Sequence, residues 1–81
     1  MGVEDQVLGW RSRRGMLELE LLLLPFVRTR LDSLSPEGKT CYARLLEHDD
    51  WDIFDWIQGR ATPPDPELAA IVAAIQAANA A

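Results

Sequence analysis

The segment from Arg14 to Arg30, RGMLELELLLLPFVRTR, constrains this chain most, because a compact polar opening runs straight into its most apolar stretch. Wound as a helix over residues 17–34 at about 100° per residue, Leu17, Leu19, Leu21 to Leu24, Phe26, Val27, Leu31 and Leu34 cover most of the circumference. Such a helix belongs at the centre of a bundle, wrapped by others on several sides. The narrow polar gap holds Glu18, Thr29 and Asp32, with Pro25 beside them and Arg28 at its edge. Glu18 therefore falls on the one face able to meet solvent or a partner.

A strand competes locally, since Leu17-Glu18-Leu19-Glu20-Leu21 alternates with a period of two. Residues 16–24 contain no Val, Ile, Thr or aromatic side chain, however, and Pro25 would remove a ladder donor. Leu and Glu are good helix formers, so the helix is the better reading. Pro25 then kinks it, at a cost of roughly 3 kcal/mol unless the freed carbonyl finds another donor. Glu20 projects into the apolar arc, and a buried carboxylate needs a partner, expected to be an arginine from the preceding segment.

At 81 residues the chain makes one domain, residues 1–81, with a single modest core. Thirteen acidic against eight basic residues leave a net charge of −5, which disfavours nucleic acid and anionic membrane as partners. Seven of the eight basic residues are Arg, suited to fork-like contacts with carboxylate or phosphate. One cysteine, Cys41, permits no internal disulfide and suits a reducing compartment such as a bacterial cytoplasm, a mitochondrial matrix being the other option. Leu21 to Leu24 fall far short of the roughly 20 residues that span a bilayer, and the acidic start Met1-Gly2-Val3-Glu4-Asp5 is unlike a leader. A soluble, unprocessed chain, monomeric when free, is expected.

Along the chain, Val3, Val7 and Trp10 recur at helical spacing with Leu8 alongside, predicting a first short helix that leaves at Gly15 through a left-handed conformation. A second reading of Gly15 is that its missing Cβ lets another protein's backbone approach while Arg14 and Glu18 grip it. Arg14 preceding Glu18 by four is the weaker orientation for an internal helical pair, so neither is explained by the other. Arg11, Arg13 and Arg14 form a basic patch, a solvated face or else an anion site.

Ser35, Pro36 and Glu37 start a third helix, running to about Glu47, with Cys41, Tyr42, Leu45 and Leu46 as its apolar stripe. The run from Glu47 to Asp55 then holds five carboxylates in nine residues. Asp49 or Asp50 can cap a fourth helix, whose first turn welcomes negative charge. A calcium loop fails, since counting from Asp50 places Asp55 where glycine is needed, and one His with one Cys cannot make a zinc site. Trp51, Phe54, Trp56 and Ile57 make this helix aromatic, with Trp51 the one for partial exposure, and Gly59 ends it. Thr62-Pro63-Pro64-Asp65-Pro66 is a rigid connector in which Asp65 caps and Pro66 opens a fifth helix. Leu68, Ile71, Val72 and Ile75 supply its buried stripe, and Ala77 to Ala81 should fray.

The run Trp10-Arg11-Ser12-Arg13-Arg14-Gly15-Met16-Leu17-Glu18-Leu19-Glu20, then Pro25-Phe26, then Leu45 to Trp56, resembles the succinate dehydrogenase assembly factors, also called flavinylation factors. The resemblance covers roughly residues 8 to 76 and implies an all-α, compact five-helix bundle. It further implies a protein that is not itself an enzyme and assists covalent attachment of FAD to a histidine of a flavoprotein subunit. That subunit belongs to succinate dehydrogenase and, in bacteria, also to fumarate reductase. By the same resemblance Arg14, Gly15 and Glu18 form the contact motif, with Met16 beside them. Arg11 belongs to the basic patch next to it, and the acidic run around Asp49 and Asp50 is a second surface. The family often has Asp where this chain has Glu20. FAD is then carried by the partner, with none bound tightly by this chain. Two other readings stay open: a carrier whose Arg11 to Arg14 patch holds the FAD pyrophosphate, and a helical adaptor with no link to flavin.

Overall fold

Capping chemistry sets most of the helix boundaries in the computed structural model, which describes the backbone of residues 3–80 and the side chains from Asp5 onward. Five helices follow one another: α1 (Val3–Arg11), α2 (Leu17–Thr29), α3 (Pro36–Leu45), α4 (Asp50–Gln58) and α5 (Pro66–Ala80), with a 3-10 turn at Leu31–Ser33. Ser35 Oγ accepts from the Gly38 amide at 3.1 Å and Asp49 Oδ2 from Trp51 at 3.2 Å. Asp65 Oδ1 does the same for Glu67 at 2.8 Å. These are the donors a helix start leaves without intrahelical partners. Gly59 closes α4 at φ 78°, the left-handed conformation that only glycine reaches without cost.

No strand forms among the described residues, and Leu17 to Leu21 are helical. Pro25 sits inside α2 without ending it. Its missing amide frees the Leu21 carbonyl, and Asn79 of α5 donates to the next carbonyl, Leu22 O, at 2.8 Å. α2 stops at Thr29, short of the predicted residue 34, and Leu31 enters the core from the 3-10 turn. α3 likewise ends at Leu45, two residues before Glu47.

The core joins Leu19, Leu23 and Phe26 of α2 to Tyr42 and Leu45 of α3, Ile53 and Trp56 of α4, and Leu68, Ile71, Val72 and Ile75 of α5. α5 packs against α2, α3 and α4. α2 is therefore not wrapped on all sides. Its second row, Leu17, Leu21 and Leu24, is 62%, 57% and 37% exposed and borders a groove of about 430 Å³ between α1 and α2. Four other helices are too few to cover both faces of a helix that is apolar nearly all round.

α1 turns the opposite face inward from the one its apolar spacing predicts. Val7 and Trp10 are exposed, Val3 lies outside the described side chains, and Asp5, Leu8 and Ser12 are buried. Both polar residues find partners on α3: Lys39 Nζ lies 2.7 Å from Asp5 Oδ1, and the Ser12 and Tyr42 hydroxyls share a hydrogen bond of 2.6 Å. Glu20 is only half-buried, at the edge of the α1–α2 groove, and among the described residues makes no ion pair with the arginines before it. α5 is regular as far as Ala80, so the expected fraying has no counterpart over residues 77–80, and Ala81 lies outside the described residues.

Candidate functional site at the Gly15 loop

The connection from α1 to α2 leaves its helix before Gly15. Ser12 and Arg13 amides close the last turn of α1 onto Leu8 O and Trp10 O, and among the described residues only Gly59 has a positive φ. Gly15 is thus not the left-handed exit that local sequence suggests. A Cβ built on it would meet nothing within 4 Å. Neither backbone conformation nor internal packing demands a glycine there, so the open space above it is the feature to explain.

Arg14 faces inward. Its Nε donates to Asp50 Oδ1 at 2.7 Å, Nη1 to Leu46 O at 2.9 Å and to Arg11 O at 3.3 Å, and Nη2 to His48 O at 3.0 Å. The guanidinium fills the corner between the end of α3, where carbonyls lack intrahelical donors, and the acidic first turn of α4. Both neighbours favour a cation there. The side chain is 16% exposed, which leaves little of it to bridge outward.

Above that corner lies a shallow groove of about 420 Å³, lined by Gly15, Met16, Glu18, Asp49, Asp50 and Trp51. The two stretches singled out in sequence, more than 30 residues apart, form its opposite walls. Arg14 offsets the charge of Asp50, whereas Glu18 and Asp49 are exposed and in no ion pair among the described residues. The groove is therefore net negative and suits a cationic side chain. Trp51, 63% exposed and set edge-on to Phe54 at 6.2 Å, adds an aromatic face of the kind that anchors protein interfaces. Sequence reasoning singled it out for exposure but not as part of the site; an aromatic one residue after a capping acidic pair was the available signal.

Arg11 stands apart from the groove, its Nη2 donating to Ala43 O at 3.3 Å, and the Arg13 guanidinium stacks on Trp10 at 5.6 Å from the ring centre. The basic patch read from sequence thus dissolves into three separate engagements. No group of His, Cys, Asp and Glu among the described residues could hold a metal, and no described helix is long and apolar enough to cross a membrane.

A small helical bundle thus gathers around one groove an open glycine, an exposed tryptophan and two carboxylates that are in no ion pair among the described residues. Comparison with known proteins adds a family. Residues 6–79 match the family described as the flavinator of succinate dehydrogenase. The FAD assembly factor SdhE of Pseudomonas savastanoi pv. phaseolicola is 47% identical over 70 residues, 86% of this chain and 83% of that protein. The protein of the same name from Shewanella oneidensis is 46% identical over 67 residues, 83% of this chain and 82% of its own length. That of Yersinia pseudotuberculosis is 44% identical over 70 residues, 86% and 80% of the two chains. This chain belongs to the flavinator family.

Proposed function

We propose that this chain docks on the flavoprotein subunit of succinate dehydrogenase, and on that of fumarate reductase where one is made, and promotes covalent attachment of FAD to a histidine of that subunit. The observation that carries the reading is the empty space over Gly15, at the centre of a groove whose walls are Met16 and Glu18 on one side and Asp49, Asp50 and Trp51 on the other. A partner backbone can approach there as it could not over a side chain, while Glu18 and Asp49 meet a cation beside it. The chain itself performs no chemistry. It holds the immature subunit so that the acceptor histidine meets the flavin methyl group, and positioning of this kind can supply several kcal/mol of a barrier, on the order of 7 or more in the best cases.

FAD stays with the flavoprotein. Arg14 is engaged with Leu46 O, His48 O and Asp50, Arg11 donates to Ala43 O and Arg13 lies over the Trp10 ring, so the three guanidinium groups are engaged separately, and the groove at Gly15 is negative. A phosphate group would be repelled from it. We place this work in the bacterial cytoplasm, with the chain acting as a monomer. Co-purification of tagged flavoprotein with wild-type chain and with Gly15→Arg tests the reading. Wild-type is retained and the variant is lost although it folds; equal retention of both removes the groove from the interface.

A further inference from the structure

We infer that Arg14 is a positioning residue that touches no partner, and that its pairing with Asp50 holds the two walls of the docking groove in register. The inference rests on the docking reading above. Among the described residues, every hydrogen bond between residues 13–16 and residues 46–50 is made by Arg14: to Leu46 O at 2.9 Å, to His48 O at 3.0 Å and to Asp50 Oδ1 at 2.7 Å. A fourth bond, to Arg11 O at 3.3 Å, ties the same guanidinium back to the end of α1. One side chain thus fixes the loop bearing Gly15 to the corner bearing Asp49 and Trp51. The planar fork is needed, because its donors point at the acceptors in fixed directions, which the single ammonium of lysine cannot reproduce. With most of its donors occupied and 16% of its surface open, Arg14 has little left to offer a partner carboxylate. Recognition falls instead to Gly15, Glu18, Asp49 and Trp51, whose own positions depend on the clamp.

A direct-contact role and a clamp role for Arg14 differ in what Asp50 does. If Arg14 reached the partner, Asp50→Asn would free the guanidinium and leave binding unchanged or tighter. With a clamp, Arg14→Lys and Asp50→Asn each weaken binding of purified flavoprotein, by roughly tenfold to a hundredfold for a lost charge-assisted hydrogen bond. The double variant is then little worse than the weaker single, because the two changes break one device. Hydrogen exchange on the free chain supplies a readout that needs no partner: the amides of Arg13 and His48, bonded to Trp10 O and Leu45 O on the two sides of the clamp, exchange faster in both single variants while those of α5 do not change. Additive losses in the double variant, or wild-type exchange at Arg13 and His48, overturn the clamp. Undiminished binding by Gly15→Arg would instead remove the docking reading and leave the exchange result standing by itself.

Discussion

Replacing Gly15 by alanine separates stability from function in one residue. Its φ lies outside the positive region and a Cβ there meets nothing within 4 Å, so the native state accepts the methyl group without strain. The unfolded chain loses freedom, and Gly→Ala at such a site stabilises by about 0.4–1 kcal/mol. For a domain of this size that is a rise in Tm of roughly 2–8 °C. In the complex proposed above, the same methyl group would stand where a partner backbone comes closest. Overpacking a tight contact costs about 1–3 kcal/mol, a loss in affinity of roughly fivefold to more than a hundredfold. Thermal denaturation and calorimetric titration against the flavoprotein subunit measure the two effects on one sample. A variant that is more stable and binds worse is the expected outcome. A variant that binds as well as wild-type, or whose Tm falls by more than about 5 °C, would show that the glycine serves something other than close approach.

Other perturbations follow from the packing. Burial pushes the Tyr42 phenol up from 10.0 to about 12, against the opposing hydrogen bond from Ser12. The fold holds the neutral form, so the stability this contributes, about 2–3 kcal/mol, is complete below pH 10 and lost as pH rises through about 12. Tyr42→Phe should remove that alkaline limb from the pH profile of denaturant unfolding while costing about 1 kcal/mol at neutral pH. The Lys39 ammonium, 2.7 Å from Oδ1, holds the Asp5 carboxyl below its ordinary 3.8, against desolvation that raises it. Its contribution is present above that value and lost as pH falls through the lower folded value, so Asp5→Asn should flatten the acid limb of the same profile. Asn79→Ala removes the donor to Leu22 O beside Pro25 and should lower stability by about 1 kcal/mol, read from the urea midpoint. Leu23→Ala, at a fully buried position, should cost about 2–5 kcal/mol, enough to unfold much of so small a domain at 37 °C as followed by circular dichroism.

The helix starts at Ser35, Asp49 and Asp65, the stop at Gly59 and the buried stripe of α5 were legible because each is decided within a few residues. What was not legible depends on partners distant in sequence. α1 buries Asp5 and Ser12 in place of Val7 and Trp10, because Lys39 and Tyr42, about 30 residues away, satisfy the polar groups. No local periodicity contains that information. Arg14 reads as an outward charge in sequence, since the carbonyls that engage it, Leu46 O and His48 O, are backbone groups at a helix end that no residue type announces. The outer leucines of α2 read as core by hydropathy alone, whereas only the number of surrounding helices decides which row is covered. The candidate site was half legible: Gly15 and Glu18 were marked by type and spacing, but their meeting with Trp51 exists only in the folded chain.

The most direct measurement is the covalent flavin content of the flavoprotein subunit, read as fluorescence that survives denaturation, after incubation with FAD alone, with FAD and this chain, and with FAD and Gly15→Arg. Covalent flavin should rise with the wild-type chain and stay at the level of FAD alone with the variant. Equal incorporation in all three samples would contradict the account at its root.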